Sequence, residues 1–149
     1  MAANVIFKVS KTIAFSADTV FEALADWRGH ADWVPLTKVE VLNGDGGPGT
    51  EFIATSGLGP LALPDRMRVD TLDREARTSQ ITKVGPVLTG VVDLTVTEIN
   101  ENSCTVYWVE DVQVPVLPQF LARPVAAAAR TAFNQALGRM EKYLRKSAN

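Results

Sequence analysis

Between Pro118 and Lys146, apolar side chains return every three to four positions: Val125, Ala129, Phe133, Ala136, Met140 and the Tyr143/Leu144 pair. Arg123, Arg130, Asn134, Glu141, Lys142 and Arg145 fall on the opposite side. This is the period of one face of an α-helix. The alanine run at 126–129 has the strongest helix propensity. The pattern predicts a long helix over 118–146, spanning roughly 35–40 Å, with Pro118 or Pro124 in its first turn.

Upstream the period shortens to two. Phe7, Val9 and Ile13 alternate with Lys8, Ser10 and Thr12, which predicts a half-buried strand over Val5–Ala14. Ser16 then reads as an N-cap, with Asp18 in the first turn of a helix whose apolar side is Val20, Phe21, Leu24 and Trp27. Arg28–Val34 predicts a second, short helix that stops at Pro35. Strands follow at Leu36–Asn43, Thr50–Thr55, from beyond Pro60 to about Asp73, Arg77–Val84, Val91–Ile99 and Cys104–Val114. Seven strands, with two helices after the first and one long helix last, make an α+β chain. The strands need one large apolar partner, and the last helix is the candidate.

Composition narrows the function. The chain has 149 residues, 46% hydrophobic and 21% charged, which fits a single soluble globular domain over 1–149. Apolar runs fall well short of the ~18 residues of a membrane span, so a cytoplasmic protein without stable membrane insertion is expected. Cys104 is the one cysteine and His30 the one histidine, which argues against a zinc site and an internal disulfide; no metal and no cofactor is expected. The net charge of −2 divides unevenly: residues 118–149 carry six Lys/Arg against one acid, residues 1–117 nine against sixteen. An acidic body argues against nucleic acid as a partner. Gly44–Gly49 is rich in glycine but lacks a Lys before its Thr and leads into a strand, so it reads as a turn and not a phosphate cradle.

The element order, the loop Gly44–Thr50, Ala25-Asp26-Trp27 and Asp32-Trp33-Val34-Pro35 together resemble the helix-grip proteins. These form the Bet v 1/START-like (SRPBCC) superfamily, with its polyketide cyclase/dehydrase and lipid transport branch. The resemblance covers about Val5 to Leu144. It implies a curved antiparallel sheet gripping the last helix around an apolar cavity. Ser56-Gly57-Leu58 resembles the gate loop of plant abscisic-acid receptors and Gly85–Leu88 lies where their latch would be, although Pro86, Val87 and Leu88 replace the His-Arg-Leu latch, so hormone sensing is not implied. Lys38 falls near the carboxylate-binding lysine of those receptors, and a solvated strand-start lysine is the simpler reading.

The small side chains Ala126–Ala129 and Ala132 also favour space under the helix, of order several hundred Å³. Side chains alternate across a strand, so the faces can be assigned. Glu110 shares its register with Val106, Trp108 and Val112 and should point inward, where an acid suits a ligand anchor or a proton-transfer group. Asp65 and Met67 are expected inward on their strand. Between Gln80/Thr82/Val84 and Ser79/Ile81/Lys83 the pattern does not choose. On the following strand apolarity chooses Val92, Leu94 and Val96, the resemblance would permit Val91, Asp93 and Thr95 instead, and this register stays open. The expected ligand contacts are Phe52, Met67, Gln80, Thr82, Val92, Leu94, Trp108, Glu110, Phe120, Ala129 and Phe133. Ser56, Gly57, Leu58, Gly59, Pro60, Gly85, Pro86, Val87 and Leu88 are the candidate gates. Glu110, Asp65 and Tyr107 are weak catalytic candidates, and His30 reads as an exposed helix residue. The expected function is binding of a small hydrophobic or amphipathic molecule such as a lipid, polyketide or aromatic metabolite, by a monomer or homodimer. The alternatives are a cyclase, dehydratase or hydrolase in the same cavity, or an interaction module with a filled core.

Overall fold

The structure, a computed structural model, describes residues 2–57, 62–115 and 117–148. The elements run β1 (Ala2–Ile13), α1 (Ala17–Ala25), α2 (His30–Trp33), β2 (Thr37–Asn43), β3 (Glu51–Ser56), β4 (Leu63–Asp73), β5 (Thr78–Val84), β6 (Thr89–Asn100), β7 (Ser103–Pro115) and α3 (Ala122–Ser147). The seven strands form one antiparallel sheet in the order β1-β7-β6-β5-β4-β3-β2. Each strand from β2 to β7 is a hairpin neighbour of the next. The chain crosses from one edge to the other through α1 and α2, which places these short helices over the concave face beside α3. This is the helix-grip architecture.

The alternation in β1 persists over its length: Ala3, Val5, Phe7, Val9 and Ile13 are buried. They meet Val106 of β7, Val20 and Leu24 of α1, and Ala136, Leu137 and Met140 of α3 in one core. Ser16 caps α1 by accepting the Thr19 N–H at 3.2 Å. The exit from β1 is tied to α3, where Glu141 accepts the Ala14 N–H at 2.7 Å. Pro118 adopts extended backbone and a single 3-10 turn follows at Gln119–Leu121, so α3 starts at Ala122, with Pro124 in its first turn.

Bulges interrupt the pairing at Val41/Asn43, Val69/Thr71 and Glu98/Asn100, and such irregularities bend a strand. In β4 the extra residue is Asp70, and because of it both Val69 and Leu72 meet the core. The Gly44–Gly49 loop is a turn, as its sequence indicates. At Gly44 (φ 96°) a Cβ would lie 2.6 Å from Thr50 Cα, a position only glycine fills. Thr50 is fully buried and accepts the Gly46 N–H at 2.8 Å, while the Gly46 carbonyl accepts the Trp27 indole N–H at 2.7 Å. The turn thereby fixes Trp27, a wall of the cavity described next. No helix among the described residues is long and apolar enough to cross a membrane.

Candidate functional site

The concave face and α3 enclose a cavity of about 100 Å³. Its aromatic walls are Trp27 and His30 from the α1–α2 segment, Phe52 of β3, Trp108 of β7 and Phe133 of α3. Trp27 stacks on Phe52 with centroids 5.2 Å apart and planes 12° from parallel. Trp108 leans on Phe133 at 4.9 Å, and Phe133 in turn on Phe7 at 5.4 Å. Ile81, Val92, Leu94 and Met67 complete the apolar surface, and Thr37 and Ser56, whose hydroxyls bond at 2.8 Å, stand at the rim.

Three charged groups meet on this apolar surface. Lys83 Nζ donates to Asp65 Oδ2 and lies 3.4 Å from Glu110 Oε1. Glu110 Oε2 accepts the Trp108 indole N–H at 2.7 Å. Lys83 and Glu110 are 7% and 4% exposed, the depth of core side chains. The sheet register explains the meeting. Asp65 stands on β4, which adjoins β5, and Glu110 on β7, one strand further away beyond β6, and all three side chains take the inner face. Opposite Lys83 on β6 is Gly90, so no side chain stands at that step between Lys83 and β7. Burial pushes the Lys83 ammonium down, but Glu110 and Asp65 outweigh it and hold the group above its ordinary range. Lys83 is therefore a charged donor at neutral pH, not a free amine. Asp65 Oδ1 is the buried side-chain polar atom without a hydrogen-bond partner among the described residues.

His30 is half-buried, with its ring 4.7 Å from Trp33 and 5.6 Å from Trp27. Nε2 lies 2.7 Å from the Leu24 carbonyl, which only accepts. The proton thus sits on Nε2, and Nδ1 keeps a lone pair. Burial lowers the His30 pKa, against the opposing effects of the Leu24 carbonyl and Asp26. The unfolded chain takes up this proton near 6.5 and the folded chain does not, so stability falls as pH drops from 6.5 towards the lowered folded value. Urea titrations of wild type and His30→Gln should therefore diverge above that window and converge through it. Parallel curves would place the ring in solvent.

Several sequence expectations need correction. Gln80 and Thr82 face outward: Gln80 donates to Asp93 at 3.2 Å and Thr82 donates to Asp70, so polar partners on the outer face set the register of β5. Ser79, Ile81 and Lys83 take the inner face. On β6, Val92, Leu94 and Val96 are the buried set. Phe120 is 79% exposed, because α3 begins two residues after it. Ala129 touches the core but not the cavity. Tyr107 lies on the other face of β7, its ring 5.6 Å from Lys8 Nζ, so it is not beside the acids. His30 is not the exposed helix residue its polar neighbours suggested, and Lys38 is exposed away from the cavity.

The cavity is also smaller than several hundred Å³. Ala127, Ala128 and Ala132 point outward, and the aromatic side chains fill the space assigned to them. Phe52, Asp65, Met67, Val92, Leu94, Trp108, Glu110 and Phe133 do converge on it. Of the gate candidates, Ser56 lines the rim, Gly57 is exposed, and Gly85, Pro86, Val87 and Leu88 do not line the cavity; Leu58, Gly59 and Pro60 lie outside the described residues. Burial pushes the Cys104 thiol up to about 11, which leaves it inert as a nucleophile. Among the described residues no three His, Cys, Asp or Glu side chains are grouped to hold a metal ion.

Comparison with known proteins gives a consistent picture. The family described as polyketide cyclase / dehydrase and lipid transport matches residues 4–145. No curated protein matches in sequence. Among solved structures, the Zhui aromatase/cyclase from Streptomyces sp. R1128 superposes with a TM-score of 0.80 at 19% identity, over 98% of this chain and 96% of that one. A START superfamily protein from Mycobacterium smegmatis gives 0.78 at 15% identity, over 93% and 98%. Norcoclaurine synthase from Thalictrum flavum gives 0.66 at 19% identity, over 94% and 88%. At these identities the likeness is one of fold.

Proposed function

We propose that this chain, which belongs to the polyketide cyclase/dehydrase and lipid transport family, binds a small amphipathic molecule in the cavity between its sheet and α3. The apolar part of the ligand lies against Trp27, Phe52, Trp108 and Phe133, and its polar end meets Asp65, Lys83 and Glu110. The observation that carries this reading is the charged cluster on an aromatic surface. Withdrawing each ion from water costs several kcal/mol, and apolar residues of similar volume would fill a merely structural core at least as well. Apolar contact at ~25 cal/mol per Å² supplies affinity, and the cluster supplies orientation.

A second reading has the same residues transfer protons, as in a cyclase or dehydratase. It is favoured by the protonated state of Lys83, which stands ready as a donor to a carbonyl or hydroxyl oxygen, with the adjacent carboxylates as acceptors. Two of the solved structures of like fold are named as enzymes.

Native mass spectrometry of protein purified from its own host tests the common premise, since a co-purified small molecule is expected. Glu110→Gln separates the two readings. It keeps an acceptor for the Trp108 indole and removes the charge. In a binder, affinity for polar-headed ligands should change while purely apolar ligands bind as before. In an enzyme, turnover should fall ~10²-fold or more with ligand affinity largely kept. Bare protein from the host, together with unchanged amide spectra on addition of amphipathic molecules, would leave the interaction module with a filled core.

A further inference from the structure

The polar side of the cavity is unbalanced in a way that selects among ligands; this inference rests on the reading that the cavity binds a small molecule. Glu110 has both oxygens engaged, one by Trp108 and one by Lys83. Asp65 has one oxygen engaged by Lys83, and Oδ1 has no partner among the described residues. Lys83 divides its protons between the two carboxylates and approaches Met67 Sδ at 4.0 Å. Two carboxylates and one ammonium leave a net charge of −1. The open position in the cluster is an acceptor, so the group that completes it is a donor. A buried acceptor left unpaired costs about 1–3 kcal/mol, which a donating ligand would recover.

The walls favour the same choice. Trp27, Phe52, Trp108 and Phe133 present aromatic surface to the cavity, and aromatic faces attract cations. His30 Nδ1 adds a lone pair and no positive charge. A carboxylate-bearing ligand would add a third acid to this enclosure, with Lys83 already shared between two.

We propose that the cavity selects a primary ammonium head on a compact apolar stem, with the ammonium donating to Asp65 Oδ1 and the stem against Trp108 and Phe133. Size sets a second limit. A cavity of about 150 Å³ takes benzene, so about 100 Å³ holds roughly four or five non-hydrogen atoms, and any larger remainder of the ligand lies at the Thr37–Ser56 rim.

The test is a series of equal shape and differing charge: isobutylamine, isobutanol and isobutyrate, titrated into the unaltered protein at neutral pH. Chemical shifts of the Trp108 indole N–H and the Met67 methyl report occupancy. Isobutylamine is expected to bind at least tenfold more tightly than isobutanol, and isobutyrate more weakly than either. Asp65→Asn, which removes the charge and offers an amide in place of the free oxygen, should abolish the preference for the amine. Equal binding of the amine and the alcohol would overturn the selection while leaving a ligand cavity in place. If none of the three perturbs either signal at any concentration, both the selection and the cavity reading fail. The series on the unaltered protein decides the matter even if Asp65→Asn does not fold.

Discussion

Lys83→Met should destabilise the fold by about 3–5 kcal/mol, the largest loss expected from any single substitution near the cavity. Methionine nearly matches the length of the lysine stem, so little packing is lost. The ammonium disappears, however, and leaves two carboxylates facing each other on an apolar surface with no cation between them. For a chain of this length the loss corresponds to a drop in Tm of roughly 10 °C or more. The penalty should be largely relieved when Asp65→Asn and Glu110→Gln are added, because the charges left behind cause it and not the missing contacts. Its pH dependence is also fixed in sign. The folded pKa of Lys83 lies above the ordinary 10.5, so its contribution is complete below 10.5 and disappears as pH rises through the folded value. Urea denaturation of the single and triple variants at neutral and alkaline pH checks all three statements. A cost below about 1 kcal/mol for Lys83→Met would mean that water reaches the cluster and screens it.

Gly90→Ala should cost about 2–4 kcal/mol although it adds one methyl group. Gly90 has φ 143°, and a Cβ there would lie 2.1 Å from the Asp111 carbonyl oxygen and 2.8 Å from Val112 Cα. Those are backbone atoms of the paired strand, which cannot step aside as a flexible side-chain tip can. The two strands must separate at this point, and Glu110 is the next inward residue along β7. The variant should therefore also shift the Trp108 indole N–H resonance, whose acceptor is Glu110. Denaturation and an amide–indole spectrum provide the measurement. A variant as stable as wild type, with the indole signal unmoved, would show that β6 and β7 are not pressed together here.

The order of elements was legible because each period in the sequence is dictated by burial on one side. Three helices and seven strands appear where the apolar spacing put them, and Glu110 lies inward with Val106, Trp108 and Val112. Lys83 was not legible from its own strand. The two faces of β5 are equally mixed, Ser-Ile-Lys against Gln-Thr-Val, and outer partners on neighbouring strands decided between them. The usable signal lay elsewhere. Two inward acids, one on β4 beside β5 and one on β7 beyond β6, call for a cation between them, and Lys83 is the basic residue of β5. His30 was hidden by its polar neighbours, yet positions 27, 30 and 33 follow helical spacing and put it on the side of both tryptophans. The cavity is smaller than the alanine run implies, because a helix turns most of any such run outward.

The positions of the indoles have a consequence for observing this protein. It has three tryptophans, at 27, 33 and 108, all buried; Trp27 and Trp108 line the cavity, and Trp33 lies behind His30, which lines it. One donates to a cluster carboxylate, one is held by the glycine turn, and one packs on His30. No indole stands elsewhere in the chain to dilute the emission. Intrinsic fluorescence is therefore a local optical probe of the cavity, sensitive to its occupancy and charge, and it comes without a label.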